Sequence, residues 1–376
     1  MKTQWYDYVV IGGGLFGIYT ALYLTKLKTS VLLVEKDEKL FQRASAINQA
    51  RLHGGYHYPR SIATARTSHE YKIRFCREHE FVVNRKFQQY YGIDKTSSYT
   101  TPDQFESFCN FLGIPLERVE VPQFFYKDCL AALFLTEEYS IDLTALANYY
   151  LSRVQGSEHL HVMTSTQIGS VEQVGNSWEL EFRSNSDTSK FKVETASVIN
   201  ATYSSSNVIN GLFGFDNMDM IHEITEIVLV KSSLKEVGLT VIDGDFVSMM
   251  PYGFSDLISL SSVRYTSHYN FEGRYPTFPC QDLIAACKPE DCLSCNHCSA
   301  KPISNQLKMV RQIQKYLHTD IKLNHVESQY TVKSKLKRSY IDDSRPTLIK
   351  KLNETPEFHC IFGGKLSSIY DIEAHF

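Results

Sequence analysis

No run of about 20 uninterrupted apolar residues crosses this 376-residue chain, which argues against a membrane-spanning helix. A secretory leader is not expected either, because Asp7 and the glycines from Gly12 to Gly14 break the apolar stretch near the start. Neither sign of charge dominates: 39 lysines and arginines stand against 42 aspartates and glutamates, a formal net charge of −3. That balance gives no whole-protein reason to expect nucleic acid or an anionic membrane as the partner. Internal repeats and low-complexity segments are absent. Nine cysteines without a leader fit a reducing compartment, where thiols stay free or bind metal, so the expected location is cytoplasmic.

What the chain does have is length and aromatic residues. Its length suits two domains, or one large domain with an insertion. The 23 tyrosines and 22 phenylalanines suit a core built from sheets around a ligand cleft.

The first chemical signal is IGGGLFGIYTALYLTKLKTSVLLVEK, residues 11–36. Residues Tyr6 to Ile11 are β-branched and aromatic, and read as a buried parallel strand. Gly12, Gly14 and Gly17 then supply the spacing G-x-G-x-x-G. The first allows a tight turn, the second lets backbone approach a pyrophosphate, and the third lets the next helix pack close to the strand. A helix is predicted over 15–28, with its N–H groups and positive dipole end aimed at the phosphates. A second strand, 30–34, ends at Glu35, whose carboxylate suits the ribose hydroxyls of an adenosine and argues against a 2′-phosphate. This is a dinucleotide site. NAD and FAD both remain open here.

Further along, a helix is predicted from Ile62 to His79 and strands over 81–93. Thr101, Pro102 and Gln104 make a capping box with proline at the first helical position. Asp142 opens another helix, and a hairpin turns at Gly175-Asn176. Residues 197–204 read as a buried strand running into a small-residue turn, and from about Asn207 the pattern is mostly β. The basic stretch KSKLKR, 333–338, reads as an alternately exposed strand.

The order G-x-G-x-x-G, NQARLHGGYHYP, VINATY, PYGFSDLISLSSVRYTSH and FGGKLSSIYDIE resembles the D-amino-acid-oxidase superfamily of FAD-dependent oxidoreductases. Within it, the segments look closest to glycerol-3-phosphate dehydrogenases and L-2-hydroxyglutarate oxidases. The resemblance implies an α/β fold: a glutathione-reductase-like FAD-binding Rossmann domain with a β-rich (α+β) substrate domain. The FAD domain would be discontinuous, over 1–80, 142–206 and 340–376. The substrate domain would take 81–141 and 207–339, with a cysteine-rich insertion at 272–305 that the resemblance does not cover.

The resemblance also implies residue roles. Leu15, Phe16, Glu35 and Lys36 would join the three glycines around the nucleotide, with Arg43, Ala44, Ser45, Asn48 and Gln49 beside the pyrophosphate and ribitol. Arg51, Leu52, Gly54 and Gly55 would run along the flavin ring beside His53. Ala201 would allow close approach to the nucleotide, and Ile168 would touch the adenine side through backbone. Gly363, Gly364, Lys365, Leu366 and Ser367 would present backbone N–H groups to the flavin edge that becomes negative on reduction.

Candidates for the substrate side are His53, His57, Tyr252, Arg264, His268 and Arg345. An arginine fork fits a carboxylate, and Tyr252 or His268 would serve proton transfer. His57 stands where glycerol-3-phosphate dehydrogenases carry a substrate arginine, which weakens the case for a phosphate-bearing substrate. The family pattern GGKLTTYR is GGKLSSIYD here, so its terminal arginine is also missing, and the chain ends with room for only a short helix.

Cys287, Cys292, Cys295 and Cys298, with Cys280 and His297 nearby, have metal-ligand spacing. Zinc is the first expectation, free thiols the second and an iron–sulfur cluster the third. The reading is therefore an FAD enzyme that oxidises a small amino or hydroxy acid by hydride transfer to flavin N5. No second G-x-G-x-x-G follows a strand, so electrons would leave to oxygen, a quinone or a protein. The alternatives are a flavin- or metal-binding docking protein without turnover, and an NAD-dependent dehydrogenase.

Overall fold

The computed structural model describes residues 3–244, 246–337 and 346–376. Two large sheets carry the architecture. In the first, five strands run parallel, in the order Leu160–Met163, Val31–Val34, Gln4–Ile11, Lys190–Asn200 and Glu357–Phe362. The hairpin Thr166–Val174 and Ser177–Ser184 extends this sheet antiparallel, as does Leu348–Glu354 on the far side. Register places Ile11 between Val34 and Asn200, so the ends of three strands finish level at one edge. Val9, Val10 and Val31 to Leu33 are wholly buried, as expected of strands covered on both faces.

The second sheet has nine strands and is mostly antiparallel. Its long central strand, Met220–Lys231, pairs with Asn324–Leu336 along one side and with Ser267–Glu272 and Ile258–Ser262 along the other. The sheet continues through Val247–Pro251 and Val237–Ile242 to Gln88–Asp94, which pairs parallel to Val237–Ile242. A small third sheet joins Arg51–Leu52 to Tyr139–Ile141 and Val83–Asn84.

Local signals set several boundaries. The first helix, Leu15–Thr25, stops short of the expected residue 28, because Lys28 takes a left-handed φ of +61° in the turn that follows. Ile62–Glu78 forms the expected helix. Pro102–Leu112 carries the capping box: Gln104 N donates to Thr101 Oγ1 at 3.3 Å, and Thr101 N donates to Gln104 Oε1 at 2.9 Å. Asp142 caps Leu143–Gln155 by accepting from Ala145 N at 2.7 Å. The hairpin turns at Gly175-Asn176, but Leu160–Met163 separates from it and joins the parallel sheet. Lysines 333 and 335 lie on Asn324–Leu336 with buried Ser334 and Leu336 between and after them; Arg338 lies outside the described residues. No described helix is long and apolar enough to cross a membrane.

Candidate active site

A continuous cleft of about 1690 Å³ lies between the two large sheets. Pockets for ordinary small ligands are roughly 300–1,000 Å³, so this one has room for a dinucleotide and a second molecule. Its floor at one end is the level edge of the parallel sheet. There Gly12 turns the chain at φ +108°, a conformation that favours glycine, and a Cβ would sit 2.7 Å from the Ala201 carbonyl oxygen. Gly14 caps the first helix with no side-chain cap, and the helix has no acid in its first turn. Its positive end faces the cleft with no acid of its own first turn, which suits an anion. Ser45 accepts from Leu15 N at 2.9 Å and so fixes the following loop to the helix start.

Leu15, Phe16, Glu35, Lys36, Ala44, Asn48, Gln49, Ile168 and Ala201 line the same cleft. The Glu35 carboxylate accepts from Gly13 N at 2.6 Å and Asp37 N at 2.9 Å, and burial raises its pKa against those bonds. Arg43 and Lys36 line the cleft too, but their charged ends are engaged by the protein. Arg43 is bidentate to Asp37 at 2.6 and 2.7 Å; Lys36 pairs with Asp291 at 2.9 Å. Both also donate to the Cys292 carbonyl oxygen at 2.9 Å, which ties the cysteine-rich segment across this end.

At the other end, Gly363, Gly364, Lys365 and Leu366 meet Arg51, His53 and His57. Gly364 N donates to Thr347 Oγ1 at 3.2 Å, so that N–H already has a partner within the chain. The His53 and His57 rings lie 5.5 Å apart, and His57 packs tilted against Phe246 at 4.6 Å. Nδ1 of each imidazole is buried without a hydrogen-bond partner among the described residues. Burial lowers both pKa values. For His53 the nearby Glu138 opposes that shift; His57 is held well below the ordinary value, with His53 and Arg51 adding to the effect. Both rings are thus neutral at pH 7.

Five expected cofactor residues stand behind the lining instead of in it: Gly17, Leu52, Gly54, Gly55 and Ser367. Gly17 packs helix to strand so closely that a Cβ would lie 1.8 Å from the Gly12 carbonyl oxygen. Gly54 donates its N–H to Glu138, and Gly55 turns at φ +104° against the Ala65 carbonyl. Three expected substrate residues also fall outside the cleft. His268 is bound by Glu226 at 2.8 Å, a buried carboxylate that also holds Asn305 N at 2.9 Å and so anchors the chain after the cysteine-rich segment. Arg264 lies over the Tyr265 ring, and Tyr252 packs against the hydrophobic core. Arg345 lies outside the described residues.

The metal expectation is not supported. Among the described residues no group of histidine, cysteine, aspartate or glutamate side chains is arranged to hold a metal ion. Cys280, Cys287, Cys292, Cys295 and Cys298 line a separate void of only about 20 Å³. Their thiols pack and hydrogen-bond: Cys292 Sγ donates to Pro276 O at 3.5 Å and accepts from Gln281 at 3.3 Å. Burial pushes the Cys292 and Cys295 thiols up to about 12, which keeps them protonated in this arrangement.

One group escaped the sequence reading altogether. Glu138 is wholly buried beneath His53, bound to Arg51 at 3.0 Å and Tyr91 at 2.6 Å. Its only signal was a pair of acids, Glu137-Glu138, interrupting the apolar run LAALFL and YSI.

Parallel strands ending level, a glycine turn at a helix start and a second glycine turn across a long cleft define a dinucleotide-binding oxidoreductase. Residues 7–258 match the family model described as FAD dependent oxidoreductase (DAO), and the chain belongs to that family. Among curated proteins it is similar to the FAD-dependent monooxygenase FPY4 of Fusarium mangiferae, 22% identical over 96% of this chain and 87% of that protein. A shorter match, 40% identical over 78 residues, links it to the FAD-dependent monooxygenase kojA of Aspergillus flavus, covering 20% of this chain and 18% of that one. Its fold is similar to glycine oxidase from Geobacillus kaustophilus, with a TM-score of 0.70 and 13% identity over 99% of this chain and 92% of that one. It is equally similar to L-alpha-glycerophosphate oxidase from Mycoplasma pneumoniae, with a TM-score of 0.70 and 15% identity over 98% and 93%. The chain is an FAD-dependent oxidoreductase with a Rossmann-type nucleotide fold and a β-rich second sheet.

Proposed function

We propose that the substrate is a small amino or hydroxy acid, oxidised at the carbon next to its carboxylate. FAD bound in the cleft supplies the hydride acceptor at N5 of its ring. Gly12, Gly14 and the helix start would hold the pyrophosphate, with Glu35 at the adenosine ribose and the turn at Gly363 beside the ring. The segments 1–80, 142–206 and 340–376 would form the nucleotide unit, and the remainder the substrate unit.

The observation that carries this reading is the pair of buried, neutral imidazoles in the cleft beside the second glycine turn. As hydride leaves carbon, the hydroxyl or amine must lose a proton, and a neutral histidine is the side chain fitted to receive it. Positive charge for a carboxylate comes from Lys365, which lies 4.1 Å over the Tyr58 ring, and from Arg60 at the mouth, 3.6 Å from Asp243. The small size follows from the walls: Phe246, Tyr58 and the two histidines crowd this end.

The test is an anaerobic screen of the FAD-loaded protein against amino acids, hydroxy acids and uncharged alcohols. Bleaching of the flavin band by an amino or hydroxy acid is expected. Bleaching by uncharged alcohols alone would overturn the substrate class. A second run in air, following oxygen consumption, separates oxygen from a quinone or protein as acceptor.

A further inference from the structure

Glu138 makes contacts that the packing of a sheet does not require. Its Oε2 accepts from Arg51 Nη1 at 3.0 Å and from the Tyr91 hydroxyl at 2.6 Å. Its Oε1 accepts from Gly54 N at 3.0 Å and lies 3.6 Å from His53 Nδ1. The Arg51 and Glu138 side chains are 2% and 0% exposed. Arg51 is held in turn by Thr240 Oγ1 at 3.1 Å and by the Ser248 hydroxyl, two strands of the second sheet. A buried ion pair is no guarantee of net stability, because desolvation offsets its attraction. This one therefore calls for another use.

Its geometry offers one. Arg51, Tyr91 and the Gly54 N–H fill one side of the carboxylate and fix its plane. The remaining face of Oε1 looks at Nδ1 of an imidazole that lines the cleft. At 3.6 Å the carboxylate lies just beyond hydrogen-bond range of Nδ1, but its charge favours the ring form with the proton on Nδ1, which leaves the Nε2 lone pair as the acceptor.

We infer that Glu138 is the positioning residue for His53, fixing its proton on Nδ1 and leaving Nε2 as the base for substrate. The inference rests on the oxidation proposed above for this cleft. In that step the C–H bond breaks with its electron pair passing as hydride to flavin N5. The O–H or N–H proton passes to Nε2 of His53, and the carbon–oxygen or carbon–nitrogen double bond forms. Glu138 then faces an imidazolium whose charge it offsets, and the proton leaves to solvent. Burial disfavours the ionised form of Glu138, but Arg51, His53 and Tyr91 together hold its carboxyl well below the usual range. The other groups facing His53 are His57, Tyr58 and Lys365.

The experiment needs no substrate. FAD-loaded full-length protein labelled with [15N]histidine is compared with Glu138→Gln and Tyr91→Phe, the His53 signals being assigned by their loss in His53→Asn. Nitrogen shifts separate a protonated Nδ1 from a protonated Nε2. Wild type is expected to carry the proton on Nδ1. In Glu138→Gln the new side chain can offer Arg51 its carbonyl only by turning its amide N–H groups toward Gly54 and His53, so the proton should move to Nε2. Tyr91→Phe removes a different partner of the carboxylate and should leave His53 as in wild type. A proton on Nε2 in wild type overturns the inference, and that result stands even if Glu138→Gln does not fold. An unchanged His53 in folded Glu138→Gln overturns it as well. Failure of the acid screen would instead reject the substrate class and leave the proton assignment measurable.

Discussion

The two ends of the cleft are made of different material. The end beside Glu35 is built largely from backbone: a left-handed glycine, a helix start at Gly14 and a strand edge. The end beside Gly363 is built from side chains drawn from distant places: His53 and His57, Glu138, Tyr91, Thr240 and Ser248. Backbone binds what every dinucleotide shares, its pyrophosphate and sugar. Side chains decide what happens to the molecule beside the ring. Changes at the first end should therefore abolish cofactor binding, and changes at the second should leave the cofactor and alter chemistry.

The largest effect is expected at the backbone end. Gly17→Val would drive a side chain into the Gly12 carbonyl, where even a Cβ would sit at 1.8 Å. FAD binding should fall below detection, measured as flavin retained after gel filtration; a variant that kept its flavin would break the comparison. At the other end, Glu138→Leu strands the Arg51 charge in the interior and should cost about 3–5 kcal/mol of stability. Urea unfolding would check it. The double variant Arg51→Met with Glu138→Leu should recover much of the loss, because no lone charge remains.

Buried histidines give the next effect, and its sign follows from their pKa values. Burial lowers His79 and His222 to about 4, and lowers His53 and His57 as well. Unfolded, these rings take protons near pH 6.5, while in the folded state they stay neutral to lower pH. Their effect is absent above pH 6.5, and stability falls as pH drops from there toward 4. Thermal midpoints should stay level from pH 7.5 to about 6.5 and decline from there to 4.5; a profile flat down to 4.5 would contradict the burial.

The smallest effect concerns the segment that crosses the first end. The Lys36–Asp291 pair is 25% and 48% exposed at its side chains. Asp291→Asn should change stability by less than about 1 kcal/mol, with FAD affinity within a few-fold of wild type. A larger loss, read by flavin fluorescence on dilution, would make the cysteine-rich segment part of the cofactor's grip.

The same division explains what could be read in advance. Glycine spacing, the Thr101–Gln104 box, the Asp142 cap and the Gly175-Asn176 turn are local devices, written in residues a few positions apart. Glu138 acts on residues 84 and 87 positions away, and nothing local distinguishes it from a surface acid. His268 looked available for the same reason: its partner Glu226 lies 42 positions earlier. The cysteine spacing suited a metal, but spacing does not say whether sulfurs converge. Here the thiols pack around a small void, Cys292 hydrogen-bonds to Pro276 and Gln281, and no group among the described residues is arranged to hold a metal ion.

The most direct measurement of the division is anaerobic stopped-flow reduction of FAD-loaded wild type and His53→Asn by the acid found in the screen. Equal flavin content is expected in the two proteins, with reduction slowed by about 10²–10⁴-fold in the variant, as for loss of a general base. Equal reduction rates, or loss of the flavin from His53→Asn, would contradict the account.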